Sequence, residues 1–367
     1  MSGSSRPTRA WGLVLGGGGV LGGAWMVGAL AALAETHGLD PRDADLIIGT
    51  SAGSVTAALL GAGVSVDELR RHQLGERVTT GPLANVEWDV ERGTGGSAPP
   101  APRFASGPSS LHLVTGNVGR LHRLPPTAVL AALLPEGRGS IGAVGALVRA
   151  VVPSGWAPHP GVRAVAMHLD SGRRTALGAP GAPAADLADA VMASCAIPGW
   201  YAPVTIDGQR YVDGGACSAT NVDLASGHGL DRVFVLAPMV SFAMDHPRHW
   251  RTRAERQWRA RVTRRCLREV AKVHLDGAEV TVVGPGPEDL EAIGSNLMAL
   301  DRRHIVLQTS LRTSARSLAE PEPLEHLPTP VRAREQDVTS TPEAPGGSRA
   351  QDGSRVSAPR AGLGEAR

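Results

Sequence analysis

Twice within its first sixty residues the chain runs through the same signals: a short apolar stretch, a tight turn of small residues, then an apolar run. "WGLVL" leads into Gly16 to Gly19 and a helical pattern through Ala34 that ends near Gly38. "ADLII" leads into "GTSAGS" and the helix-like "VTAALLGAG". Strand, turn and helix in repetition are the rhythm of a parallel sheet with helices packed on it. Residues 11–34 also carry no charge, follow Arg6 and Arg9, and end in an A-x-A-like "ALA", which imitates a secretory signal or anchor. Each glycine in that run costs a helix about 1 kcal/mol relative to alanine. A buried strand, a glycine loop and a buried helix therefore fit better than one continuous spanning or cleaved helix.

Further elements follow the same logic. "SVDELRRHQ" offers a capping box from Ser65 and Glu68. "VRAVAMHLD-SG-RRTALG" and "VTIDGQRYV" read as hairpins, the second turning at Asp207-Gly208, a pair suited to a type I′ turn. "SIGAVGALVRAVV" and "AADLADAVMASCAIP" read as helices, the latter stopped by Pro198, and "RVFVLAP" and "AEVTVVGP" as strands. Residues 94–110, rich in Gly, Pro, Ala and Ser, form a candidate mobile loop or lid. Arg248 to Lys272 holds ten basic residues against Glu255 and Glu269, with Trp250, Ala254, Trp258 and Val262 recurring every four positions. That pattern predicts a helix lying over the core with a solvated charged face; the alternative is a basic amphipathic surface that touches anionic lipid. Residues 248–310 as a whole read as a helical extension with one strand. Periodicity disappears beyond about Arg312, so residues 320–367 read as a disordered tail, and residues 1–9 as a disordered start.

With 37 Lys+Arg against 35 Asp+Glu the net charge is +2, and no global field argues for a nucleic-acid partner. Cys195, Cys217 and Cys266 are well separated and lack CxxC spacing, which supports neither a disulfide framework nor a metal site. A cytoplasmic, reducing setting is the simpler expectation.

Gly49-Thr50-Ser51-Ala52-Gly53 matches G-x-S-x-G between a predicted strand and a predicted helix, the setting this motif requires. There the serine occupies a sharp turn, and a β-carbon two residues away on either side would crowd the adjoining chain. The competing reading is a plain small-residue turn. Gly17-x-Gly19-x-x-Gly22 fits a dinucleotide-binding loop, with Asp40 or Asp43 about twenty residues on. The same loop amides could equally donate to an oxyanion. A base for Ser51 is less obvious. Asp213 ends a hairpin strand before Gly214 and Gly215, and a carboxylate in a dry pocket becomes a usable base; Asp-Gly-Gly is also an ordinary turn. His228 or His246 would serve a Ser-His-Asp triad instead, and a nucleotide- or lipid-binding module needs no base at all.

The blocks "LGGGGVLGGAW", "GTSAG", "ASCAIPGWYAPVTIDGQRYVDGG" and "NVDLA", in that order, resemble the patatin-like phospholipases over roughly Leu13 to Pro238. "PGPEDLEAIGSNLM" is similar to a C-terminal segment of some bacterial members. The resemblance implies a three-layer α/β/α sandwich with a mainly parallel central sheet, extending over residues 10–312. It also implies lipid acyl hydrolysis without histidine, metal or other cofactor: Ser51 as nucleophile, Asp213 as general base, and the amides of Gly17, Gly18 and Gly19 as oxyanion hole. Gly22, Gly49, Gly53, Gly214 and Gly215 would be motif glycines, and Trp200 and Tyr201 could line the entrance. Many members carry Lys or Arg just before the glycine corresponding to Gly22, where this chain has Leu21.

Overall fold

The structure, a computed structural model, describes residues 9–84, 86, 107–116, 124–245 and 247–321. The loose start over 1–8, most of the candidate lid and the tail beyond Pro321 lie outside the described residues. Eight strands form one sheet: β1 (Trp11–Leu15), β2 (Leu46–Thr50), β3 (Val162–His168), β4 (Arg174–Leu177), β5 (Val204–Ile206), β6 (Gln209–Asp213), β7 (Arg232–Leu236) and β8 (Glu279–Val283). Their order is β5-β6-β3-β2-β1-β7-β8, with β4 beside β3. The pairs β1–β2, β1–β7, β2–β3 and β7–β8 are parallel, and the two hairpins bring in the antiparallel pairs. Both positive-φ residues of a type I′ turn are present at Asp207 and Gly208.

Alternation along the strands assigns the two faces. Leu13, Leu15, Phe234 and Leu236 point to one core, and Val14, Val233 and Val235 to the other. The helices are α1 (Gly19–His37), α2 (Ala52–Gly61), α3 (Val66–Gln73), α4 (Leu111–Gly116), α5 (Pro126–Leu133), α6 (Gly142–Val151), α7 (Leu187–Cys195), α8 (Trp250–Leu275), α9 (Pro287–Ile293) and α10 (Arg303–Ala319). Helices α1, α2, α6, α7 and α10 pack on the first face and α8 on the second, giving the α/β/α sandwich. The capping box at Ser65 and Glu68 is formed in both directions. α1 is long and apolar enough to span a membrane, but here it is a core helix with Trp25, Met26, Leu30 and Leu33 fully buried. Cys195, Cys217 and Cys266 are all buried thiols.

Two expectations need correcting. The chain does not lose regular structure at Arg312: α10 continues to Ala319, with Ser310, Ser314 and Leu318 buried. Its contact with α1 is built on small residues, where Leu307 and Leu311 press against Gly28 and Ser310 donates to the Trp25 carbonyl (2.6 Å), so no apolar periodicity announces it. Of the four-residue stripe in α8 only Val262 joins the core face. Trp250 and Trp258 are 68% and 40% exposed, whereas Arg256, Arg259, Val262, Cys266, Val270 and Val273 are buried. The buried guanidiniums are tolerated because Glu255 and Asp245 pair with them. Nor is the segment after 248 an appendage, since β8 completes the sheet and α10 the core.

Candidate active site

Strand β2 ends at Thr50 and helix α2 begins at Ala52, so Ser51 must make the whole turn between them. It does so at φ 53°, ψ −124°, a left-handed conformation that a side chain adopts only under strain. The flanking glycines are forced by contact. A β-carbon at Gly49 would strike the backbone of Gly53 and Ser54, and one at Gly53 would strike the Leu15 carbonyl at the end of β1. The turn is held from below: Ser194 of α7 accepts the Ser51 N–H (2.9 Å) and donates its own hydroxyl to the Val165 carbonyl (2.6 Å).

What brings a carboxylate to this hydroxyl is the edge of β3. β4 occupies one edge of β3 over Ala164 to Met167, so both β2 and β6 lie along the other edge. β2 finishes there with Thr50 opposite Val165, and β6, running the other way, finishes with Asp213 opposite Ala166. The two strands meet end to end. Ser51 and the Asp213 carboxylate line the same cleft, and the carboxylate accepts from the Gly215 N–H (2.7 Å). A β-carbon at Gly214 would collide with the Val165 carbonyl, so the acid can close on the elbow only with glycine next to it. Burial pushes the Asp213 pKa up to about 6, and the nearby Ser51 hydroxyl and the bond from Gly215 hold it from rising further. A carboxylate so placed can take a proton from Ser51 near neutral pH.

The glycine loop passes over the same spot, but its amides are not equivalent. Gly17 donates its N–H to the Ala219 carbonyl (2.8 Å) and Gly16 to Leu236 (2.9 Å). Gly17 therefore lines the site without a free donor. The N–H groups of Gly18 and Gly19, which open helix α1, have no partner among the described residues. They join the unsatisfied first-turn donors and the positive end of the helix dipole. Close packing explains the glycines: a β-carbon would lie 2.7 Å from the Pro238 ring at Gly18 and 3.1 Å from the same ring at Gly22. Arg259 in turn donates to the Pro238 carbonyl (2.5 Å), so α8 anchors the loop from behind. Leu21 is fully buried in the core. Asp40 and Asp43 precede β2, whereas the glycine loop follows β1, so they sit at opposite ends of the parallel pair and cannot serve one dinucleotide.

Three supporting residues were not singled out by the sequence, although Ser194 and Asn221 stand inside the blocks "ASCAIP" and "NVDLA" that carry the resemblance. Ser194 is a lone hydroxyl in an apolar helix. Asn221 is fully buried in the left-handed conformation (φ 53°, ψ 32°) and donates to the Thr50 hydroxyl (2.9 Å) and the Ser218 carbonyl (2.7 Å). Arg174 donates to Asn221 (3.0 Å) and to both oxygens of Asp223, which also pairs with Lys272 of α8. Asn221→Ala should cost about 2–4 kcal/mol, because the Ser218 carbonyl and Thr50 hydroxyl lose a buried donor and alanine disfavours this φ. Urea unfolding reads the loss; a midpoint equal to wild type would remove Asn221 from the support of the elbow.

Ser51 and Gly19 border two cavities. An open cleft of about 380 Å³ includes Asp213, Gly18, Leu130, Leu134 and Trp258, and a smaller one of about 90 Å³ runs between α1, α2 and α6. No Lys or Arg stands among the described residues lining either. Tyr201 lines the smaller cavity, whereas Trp200 lines neither and stacks on Tyr201 (5.7 Å) while its carbonyl accepts from Gly139. His228 is exposed and borders neither cavity, and His246 lies outside the described residues.

Against known proteins, the family model described as patatin-like phospholipase matches residues 13–226, more than half of the chain. Among solved structures the chain is similar to VipD from Legionella pneumophila, at 16% identity over 83% of this chain and 68% of that one, with a TM-score of 0.35. It is similar also to the type III effector protein ExoU, at 15% identity over 85% of this chain, with a TM-score of 0.30, and spans about half of ExoU's length (53%). Comparison with curated proteins gives no match. The matched segment runs from β1 through the glycine loop, the serine elbow and the hairpin that ends in Asp213, and the chain belongs to the patatin-like phospholipase family.

Proposed function

We propose that this protein is a serine acyl hydrolase that cleaves fatty-acyl esters through Ser51 and Asp213. The observation that carries the reading is the end-to-end meeting of β2 and β6, which sets the strained turn at Ser51 and the buried Asp213 carboxylate on one cleft. Asp213 accepts the Ser51 proton as Oγ attacks the ester carbonyl, and the Gly18 and Gly19 N–H groups hold the oxyanion. The proton passes from Asp213 to the leaving alcohol. Water then attacks the acyl-serine with Asp213 again as base, and the carboxylic acid departs. The cycle runs on side chains and backbone amides alone.

Substrate delivery from a lipid surface is supported by α8. Arg251, Arg253, Arg261, Arg264 and Arg268 are exposed on it and form no ion pair among the described residues. Trp258 of the same helix lines the open cleft, as does Leu130, which is 56% exposed. Cations beside exposed apolar side chains suit the cytoplasmic face of an anionic membrane. In a sedimentation assay the protein should bind phosphatidylglycerol vesicles over phosphatidylcholine vesicles and release fatty acid from them. Replacing Arg261, Arg264 and Arg268 together by Gln should weaken that binding on the order of 100-fold, at about 1 kcal/mol per cation near the surface. Activity on vesicles should fall further than activity on a soluble ester. Equal binding to both vesicle types would exclude the anionic surface, and absence of ester cleavage on either would exclude the hydrolase.

A further inference from the structure

Helix α1 contains three internal glycines, Gly22, Gly23 and Gly28, although glycine is the poorest helix former after proline. Two have a packing reason. Gly22 abuts the Pro238 ring, and at Gly28 a β-carbon would lie 2.6 Å from the Leu307 carbonyl of α10. Gly23 has none. Its φ is not left-handed, and the one atom an added β-carbon would meet is the Ala52 β-carbon at 3.8 Å, an ordinary contact. Alanine would fit there and favour the helix. What the absent side chain leaves open is the wall of the smaller cavity, directly beside the residue that follows Ser51.

That cavity begins at Ser51 and Gly19 and is continued by Gly23 and Val27 of α1, Val55 and Leu59 of α2, and Val144 and Leu147 of α6. Gly19 to Val27 and Ser51 to Leu59 each cover about 12 Å along their helices at 1.5 Å per residue. Asp213 and Trp258 border the open cleft instead. The serine thus stands between a narrower, helix-walled space, mostly apolar but also lined by Thr56, His72 and Gln73, and a wide one that holds the base and opens at an exposed rim.

We propose that the narrow space is the acyl-chain channel and that Gly23 is the position that keeps it open, so that an unbranched aliphatic acyl group lies between α1 and α2 while the alcohol half of the ester occupies the open cleft. Val27, one helical turn further on, sets the next limit on chain length. This rests on Ser51 being the nucleophile. A carbonyl carbon at Ser51 leaves its acyl chain two ways to go, and the apolar walls reward burial of each added methylene.

The test is the kcat/KM profile over p-nitrophenyl esters from acetate to palmitate for wild type, Gly23→Ala, Gly23→Leu and Val27→Phe. A side chain that blocks a packed channel discriminates by roughly 10–200-fold, so the long-to-short ratio should drop by that much in Gly23→Leu. The drop should set in at shorter chains for Gly23→Leu than for Val27→Phe, an order that general damage to the fold would not produce. Gly23→Ala should melt no lower than wild type. Profiles parallel to wild type, or a cut-off for Gly23→Leu no shorter than for Val27→Phe, would overturn the channel assignment. A short alkyl fluorophosphonate applied to each protein separates this from its premise. Labelled proteins with parallel profiles refute the channel alone, and an unlabelled wild type refutes the hydrolase reading beneath it.

Discussion

Ser51→Ala is expected to lose ester hydrolysis by roughly 10⁶-fold, the scale of removing a serine nucleophile, and to lose fluorophosphonate labelling altogether. The fold should survive. Ser51 makes no side-chain cap to α2, and its N–H bond to Ser194 is a backbone bond that alanine keeps. Alanine also keeps the strain, because the cost of φ 53°, ψ −124° comes from a β-carbon. Ser51→Gly removes that carbon and should be the more stable of the two inactive proteins by about 1–2 kcal/mol. Intact-mass spectrometry after labelling, with thermal melts of all three proteins, reads both effects. Labelling of Ser51→Ala at the wild-type rate would mean that another nucleophile does the work.

Asp213→Asn should separate activity from stability in opposite directions. Asparagine preserves the shape but cannot take the serine proton, so kcat/KM should fall by about 10²–10⁴. The wild-type rate should rise with pH through a midpoint near 6, where Asp213 loses its proton, because only the carboxylate is a base. Stability follows the reverse sign. A carboxyl whose folded pKa lies near 6 instead of 3.8 favours the folded state most below about pH 4, and that contribution is lost as pH rises through 6. A neutral asparagine loses nothing on that rise. The variant should therefore gain on the order of 2–3 kcal/mol relative to wild type between pH 4 and pH 8, at about 1.4 kcal/mol per pKa unit. Melting curves at the two pH values and a pH–rate profile check it. A pH-independent difference in melting would show that Asp213 is not buried as a strained charge.

How much of this was legible in the chain can be judged residue by residue. "WGLVL", "GTSAG" and the capping box at Ser65 announced their structures because each depends on neighbours a few positions away. The basic helix α8 was legible as a helix over the core, but not which of its residues are buried. Tryptophan outranks arginine as a core residue on average, and the partners that let Arg256 and Arg259 be buried lie on other turns or other segments. The end of α10 was missed because Ser310 and Ser314 are buried against another helix, which polarity alone argues against. Among the glycine-loop amides, Gly17 looked no different from Gly18 and Gly19 until Ala219 was found to accept its N–H.

On its own the sequence determined many of the local pieces: the strands and helices around the two glycine-bearing turns, where the turn at Ser51 needs glycines, and which family the ordered blocks resemble. The pairing of Asp213 with Ser51 came from the resemblance of those blocks; tertiary structure alone decided how the two strand ends meet, that burial lifts the Asp213 pKa to about 6, and which loop amides lack a partner among the described residues. The physical reason is distance along the chain. A turn or a cap is settled by atoms a few bonds apart, whereas the meeting of β2 and β6 depends on both strands sharing one edge of β3 in adjacent register, and no spacing in the sequence encodes that edge.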